Sequence, residues 1–245
     1  MTALDVRALE ERALNAWPAQ QTLIAGGWVF RCAGGCTKRA NSANALAPWA
    51  NFETVRREAE AFYASKGLPA IFRLSPLAPA GCDAALAGAG YTALEPSLVM
   101  VAPPGRHEMA PQVELASQPS GEWLEGIVAA NNVPLALRPA HDAIVRNIPV
   151  PAAFATLRQN GQAAGFGLAV RERGAVGLYD IVILPSWRGH GLGRMMTQAL
   201  MGWGQTGGAV ASYLQVHESS KVAVSLYERL GFREAYRYHY RMAPA

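Results

Sequence analysis

The chain has 245 residues, a formal net charge of +4, 51% hydrophobic residues and 16% charged residues. That length allows one large or two small domains, and the balance of apolar to charged residues suits a well-packed globular protein. No apolar run reaches membrane-spanning length, and the first residues lack the basic-then-apolar pattern of an export signal. No Lys/Arg-dense run interleaved with aromatics marks a nucleic-acid surface. The expectation is a cytoplasmic protein with no membrane or nucleic-acid partner, whose mild positive charge suits an anionic ligand.

In chain order, Ala3 to Ala16 reads as a helix with Leu4, Leu9 and Leu14 among its apolar positions. Gly27 to Arg31 and Thr37 to Leu46 read as strands on either side of a Gly34-Gly35 turn. Phe52 to Ser65 reads as an amphipathic helix, with Val55, Ala59 and Phe62-Tyr63 inward and Arg56, Arg57 and Glu60 outward. Leu68 to Leu74 is a strand, Cys82 to Ala89 a helix closed by Gly90, and Leu98 to Val101 a strand. The three cysteines, Cys32, Cys36 and Cys82, are too few for a four-ligand zinc site and odd in number for a disulfide framework. Reduced thiols and no metal are expected.

Pro103 to Pro111, with three prolines, a glycine and mixed charges, has linker composition. Beyond it, Gly121 to Ala130 and Arg138 to Val145 read as short helices. Phe154 to Gln159, Ala164 to Arg171 and Ala175 to Leu184 read as three strands joined by Asn-Gly and Arg-Gly turns. A helix starts near Gly193, Leu214 to Val216 is a short strand, and Ser220 to Leu230 is a helix stopped by Gly231. Tyr236 to Met242, alternating with period two, is the last strand.

The segment from Ile181 to Met196 is the most informative one. A β-branched run ends at Pro185, and a turn holding Gly189, Gly191 and Gly193 leads into a helix, so backbone N–H groups and a helix N-terminus can converge on an anion. A nucleotide P-loop would need Gly-Lys-Ser/Thr, but Gly193 is followed by Arg194-Met195. A dinucleotide fingerprint starting at Gly189 would need glycine where Arg194 stands.

The spacing present, Arg188-x-x-Gly191-x-Gly193, resembles the acyl-CoA pyrophosphate loop of the GNAT superfamily of N-acyltransferases. Ala223-x-x-Leu226-Tyr227-x-x-x-Gly231-Phe232 resembles that family's second signature and lies at the expected distance after the first. The resemblance covers roughly residues 112 to 242. It implies a mixed, largely antiparallel α/β (α+β) sheet flanked by helices, with acetyl-CoA as co-substrate.

The N-terminal half resembles a degenerate copy of the same unit. Gly90-Tyr91 matches Gly231-Phe232, and the Phe52 helix matches the Gly193 helix, whereas the turn from Ala47 to Phe52 has no glycine and contains Pro48. The expected organisation is a tandem duplication: a degenerate GNAT-like domain over 1–102, a linker over 103–111 and an acetyltransferase domain over 112–245.

The resemblance also implies site roles. The backbone of Ile181, Val182 and Ile183 would pair with the pantetheine arm. Arg188, Gly189, His190, Gly191, Leu192, Gly193 and Arg194 would surround the pyrophosphate. Tyr227 would be the general acid on the thiolate, and Ser220, where many relatives carry Asn, would contact the cofactor or cap its helix. A cation at a helix start, as with Arg188 and Arg194, is favourable only with an anion bound there. Asp180, Glu218 and His217 are alternative proton acceptors for the amine. His190, at a variable position of the loop, is expected to face solvent. The resulting expectation is acetyl transfer from acetyl-CoA to a small-molecule primary amine by direct attack, in a monomer or homodimer. A protein N-terminus or lysine is the alternative acceptor, and a non-catalytic acyl-CoA sensor or scaffold the alternative function.

Overall fold

The computed structural model describes residues 4–47, 51–105, 107 and 109–244. The chain divides into two compact units: Met1–Val99 with His217–Ser219 and Ala235–Ala245, and Met100–Val216 with Ser220–Glu234.

In the first unit, α1 (Val6–Ala16) starts behind Asp5, whose carboxylate accepts from Ala8 N at 2.7 Å. Strands β1 (Gln21–Ala25) and β2 (Trp28–Cys32) form a two-residue hairpin through Gly26 and Gly27, both at positive φ. The expected Gly34-Gly35 turn is also present, after β2 and at positive φ in both residues, so the Gly26-Gly27 hairpin is an additional turn. The expected strand over Thr37–Leu46 shrinks to β3 (Ala43–Ala45) behind a 3-10 turn at Lys38–Ala40. Asn41 is the cause. Its side chain accepts from Ala33 N at 2.8 Å and Gly35 N at 2.9 Å and donates to Cys36 O and Thr37 O, so it takes the backbone groups a strand ladder would use.

α2 (Phe52–Ala64) then crosses over to β4 (Ile71–Leu74), which runs parallel to β3. α3 (Cys82–Gly88) and β5 (Thr92–Ala102) follow. The turn from Ala47 to Phe52 includes Pro48, Trp49 and Ala50, which lie outside the described residues. One face of this sheet packs Trp28, Phe30, Phe72, Tyr63, Leu86 and Tyr91 into an aromatic core. The opposite face carries Asn44, Arg73 and Tyr240 in one row across β3, β4 and the final strand, and Arg73 forms a buried ion pair with Glu10 of α1. All three cysteines are free and buried.

In the second unit, β6 (Val113–Ala116) precedes α4 (Gly121–Ala130) and α5 (Arg138–Arg146). Strands β7 (Ala152–Gln159), β8 (Gln162–Glu172) and β9 (Ala175–Ile183) form a meander. Its turns are the expected Asn160-Gly161 and Arg173-Gly174 pairs, all at positive φ. α6 (Leu192–Thr206) crosses over to β10 (Ala211–His217), parallel to β9, and α7 (Lys221–Arg229) follows. The sheet order in this unit is β10-β9-β8-β7-β6. The fold is thus α/β with a mixed, largely antiparallel sheet flanked by helices. Each unit has a parallel pair among the described residues, β3–β4 and β9–β10, spanned by one helix.

The last strand, β11 (Arg233–Met242), departs from the division at residue 112. Ile71 to Leu74 of β4 pair antiparallel with Met242 to His239, so the end of the chain packs with the first unit. Strands β1 and β6 were not foreseen. β1 is almost wholly exposed and has no apolar alternation, and β6 is four residues long at a sheet edge.

Candidate active site

The ladder between β9 and β10 runs from Ala175↔Ala211 to Leu178↔Leu214 and goes no further among the described residues, although both strands continue. On its other side β9 stays paired to β8, but with a shift: Leu168 faces Tyr179 while Phe166 faces Val182. Asp180 and Ile181 therefore both stand opposite Gly167. This is a β-bulge, and it reverses the side-chain alternation of the strand beyond it. Asp180 adopts φ +46, in the left-handed region. Past the bulge, Val182 and Ile183 keep their pairing with β8, and the segment Ile181 to Ile183 offers its other backbone edge to the gap where β10 has parted.

The bulge leaves the Gly167 carbonyl opposite two residues instead of one. The indole N–H of buried Trp123, on α4, donates to it at 3.1 Å.

Beyond Ile183 the chain makes a 3-10 turn over Pro185–Trp187. Arg188 folds back, its Nε donating to Ile183 O at 3.0 Å. Gly189 and Gly191 have φ of +82 and +75, and a Cβ at either would meet nothing within 4 Å. They are required by backbone conformation and leave an open approach to the chain. Gly193 differs: a Cβ there would come 3.3 Å from Leu226, so its bareness seats α7 against α6.

α6 starts at Gly191 with no side-chain cap and no acidic residue in its first turn. The N–H groups of Gly189, His190, Gly191, Leu192 and Gly193 donate to no backbone carbonyl among the described residues. Such unsatisfied donors at a helix N-terminus form an anion receptor. Arg194 is exposed beside them, held to Gln198 at 3.4 Å, and exposed His190 sits 3.3 Å from the Trp187 carbonyl.

Tyr227 lies on α7, 8% exposed, its ring edge-on to Phe232 with centroids 5.8 Å apart. Burial pushes its phenol up to about 12, so it stays protonated across the physiological range. Ser220 stands exposed at the N-cap of α7, but its hydroxyl makes no cap hydrogen bond, which removes the capping role considered for it.

The three candidate proton acceptors separate. Asp180 belongs to the second unit, with the glycine loop and Tyr227. Glu218 and His217 belong to the segment that packs with the first unit. There Glu218 forms a 2.8 Å ion pair with Arg237, and His217 Nδ1 lies 2.7 Å from Ser219 Oγ. The structure also adds a residue that sequence reasoning passed over. His141 of α5 is 2% exposed, and its Nε2 lies 4.0 Å from Asp180 Oδ2. The available signal was its place with Ile144 and Val145 on the buried face of α5, a polar residue on an apolar stripe. Among the described residues no group of three or more His, Cys, Asp or Glu side chains is arranged to hold a metal ion. No helix among them is long and apolar enough to cross a membrane.

Two parallel strands parting at a bulge, with a glycine loop and an uncapped helix after the first of them, define the class of acyl-CoA-dependent N-acyltransferases. Comparison with known proteins carries this to the family. The family described as "Probable histone acetyltransferase Rv0428c C-terminal" matches residues 2–241. The chain is 30% identical over 246 residues to the uncharacterized N-acetyltransferase YobR of Bacillus subtilis, covering 97% of this chain and 98% of that protein. It is also 30% identical to the probable histone acetyltransferase Rv0428c of Mycobacterium tuberculosis, over 98% of this chain and 74% of that protein. A GCN5-related N-acetyltransferase from Kribbella flavida has the same fold, with a TM-score of 0.72 at 18% identity over 99% of this chain and 97% of that one. The chain belongs to the GNAT N-acetyltransferases, which transfer an acetyl group from acetyl-CoA.

Proposed function

We propose that this protein is a cytoplasmic acetyl-CoA-dependent N-acetyltransferase with one functional site, in its second unit, acting on the primary amine of a small molecule. The observation that carries this reading is the run of unsatisfied N–H groups from Gly189 to Gly193 on an uncapped helix, directly after a strand whose edge is open. This donor set fits a pyrophosphate followed by an extended amide-bearing arm. Arg188 and Arg194 add positive charge at the phosphates. Ile181, Val182 and Ile183 supply backbone donors and acceptors to the arm, and Ser220 supplies a hydroxyl at the start of α7.

Bound acetyl-CoA supplies the thioester. The protein's own part is to orient it along β9, to polarise its carbonyl with a backbone N–H near the bulge, and to deliver a proton to the departing sulfur from Tyr227. Asp180, on the bulge where the strands part, is the proton acceptor for the amine. Glu218, already engaged by Arg237, is the weaker candidate.

A protein acceptor, an N-terminus or a lysine, is the second reading. It is favoured by the names of relatives. Besides the histone acetyltransferase description, 79 residues of the chain are 34% identical to the ribosomal protein bS18 alanine N-acetyltransferase of Escherichia coli. In this proposal the first unit is a degenerate tandem copy that binds no cofactor, and the protein is a monomer or homodimer. Thiol release from acetyl-CoA, measured across small amines and peptides with free α-amines, tests the function. CoA binding without turnover, unchanged in Tyr227→Phe, would instead mark a sensor.

A further inference from the structure

Asp180 and His141 come from elements far apart in sequence, yet each is placed by the fold. Asp180 owes its position to the bulge: its positive φ takes it out of the alternation of β9 at the residue where β10 has just parted. His141 owes its position to α5, whose buried face also carries Ile144 and Val145. The side chains of His141 and Asp180 are 2% and 9% exposed, and His141 Nε2 and Asp180 Oδ2 are 4.0 Å apart. That separation is just beyond hydrogen-bond length. Catalytic hydrogen bonds in unliganded enzymes are often this long and tighten when substrate binds.

The other charged groups along α5 are Arg138, Asp142 and Arg146. The phenols of Tyr179 and Tyr213, on β9 and β10, bond each other at 2.9 Å. His141 is thus the imidazole that meets Asp180.

We propose that His141 is a positioning residue for Asp180, and that the two form the proton-accepting pair of the acetyl transfer. The inference rests on the acetyltransferase reading above. One N–H bond of the acceptor's ammonium breaks, its proton passes to a carboxylate oxygen of Asp180, and the nitrogen keeps the electron pair with which it attacks. As the C–S bond breaks, the adduct nitrogen releases a second proton, which replaces the one Tyr227 gives to the departing sulfur. The imidazole of His141, facing Oδ2, fixes how the carboxylate is turned at the point where β10 parts from β9. The proton leaves to solvent once the product has gone.

The test uses the full-length protein. The first arm needs no acceptor. The imidazole resonance of His141, identified by its disappearance in His141→Gln, is titrated in the wild type and in Asp180→Asn. Loss of the neighbouring carboxylate should lower its midpoint, and an unchanged midpoint overturns the pairing. The second arm measures acetyl transfer to spermidine, lysine and a peptide with a free α-amine. Asp180→Asn should lower kcat by about 100-fold and His141→Gln by about tenfold. CoA affinity by calorimetry should hold in both, and the double variant should be no slower than Asp180→Asn alone. Losses that multiply in the double variant overturn the positioning role. A wild type that binds CoA but acetylates none of the three amines overturns the acetyltransferase reading, and with it Asp180 as base. An unchanged His141 midpoint beside normal turnover overturns only the pairing.

Discussion

Trp123 donates its indole N–H to the carbonyl of Gly167, the residue that faces the two-residue bulge of β9, at 3.1 Å. A helix is thus tied to the strand at the bulge, and the bulge in turn sets the facing of Asp180 and the register of Ile181 to Ile183. Trp123→Phe keeps an aromatic ring against Phe154 but removes the indole donor to Gly167 O and leaves a gap where the larger ring was. The expected cost is about 1–3 kcal/mol, from one buried hydrogen bond lost and a smaller ring in the core. Urea denaturation measures it. CoA affinity should fall as well, because the strand that would hold the pantetheine loses its anchor. Unchanged values of both would disconnect Trp123 from the site.

Gly191→Val separates the phosphate-receptor role of the loop from backbone strain. Gly191 and Gly161 share nearly the same conformation, φ +75 and +79, and a Cβ at either meets nothing within 4 Å. Each substitution should therefore cost about 1–2 kcal/mol or more for a side chain in the left-handed region. Only Gly191→Val should also weaken CoA binding, by at least about tenfold, because its side chain projects where a phosphate must approach. Equal CoA affinity in the two variants, read by calorimetry, would sink the assignment of the loop.

These two residues also mark what the sequence made legible. Gly191, Gly161 and Gly174 could be read as turns because positive φ selects glycine at a given offset from apolar strands. The helix α7 announced itself by the Gly231 that stops it. Asp180 could be named but not oriented, since a bulge is a pairing event between two strands and leaves no local pattern. His141 and Trp123 were hidden for the same reason: their partners are 39 and 44 residues away. The Gly90-Tyr91 match to Gly231-Phe232 is borne out as geometry, since Tyr91 N bonds Leu86 O and Phe232 N bonds Tyr227 O, each at 3.0 Å. Leu68, Val133 and Ala209 close other helices with the same bond, so that cap is general punctuation. The parallel pairs β3–β4 and β9–β10, each spanned by a helix, are the firmer likeness between the two units.

Tyr227→Phe should lower kcat by roughly 100-fold while leaving CoA affinity unchanged, if the phenol protonates the thiolate. The same residue has a signature in stability. Its pKa is raised by burial to about 12, above the ordinary value of 10.0. The folded state therefore favours the neutral phenol, and the resulting stability is present below pH 10 and is lost as pH rises toward 12. The wild type should lose more stability over that alkaline window than Tyr227→Phe. Identical alkaline unfolding of the two proteins would mean that the phenol is not buried in solution.

Glu10→Gln tests the polar face of the first unit. Glu10 and Arg73 are 3% and 4% exposed, and Tyr236 donates to the same carboxylate. Removing the charge leaves the Arg73 guanidinium buried without its counter-ion, at an expected cost of about 3–5 kcal/mol. Glu114→Gln is the comparison. Its ion pair with Arg158 is largely solvated, and its loss should stay within about 1 kcal/mol. Thermal unfolding of the two variants should therefore differ widely, and comparable losses would refute the buried-pair account.

The stoichiometry of CoA binding decides whether the first unit is a silent copy. The helix ends that correspond, at α2 and α6, differ in their chemistry. α2 begins behind Asn51, whose side chain accepts from Thr54 N at 3.4 Å, and Glu53 stands in its first turn. One donor is thus already used, and the first turn carries an acid that is paired with Arg56 at 2.7 Å. α6 has neither a side-chain cap nor an acid in that turn. The N-terminus of α2 is therefore already served by its own side chains, whereas that of α6 is open to an anion. Calorimetry on the full chain should give one CoA per chain. Two would refute the degenerate-copy reading. The fragment 103–245 cannot replace this measurement, because it keeps β11 but removes β4, the strand that pairs with residues 239–242. It should expose that unpaired edge and aggregate, and a soluble, monomeric fragment with full CoA affinity would show that β11 does not need its partner.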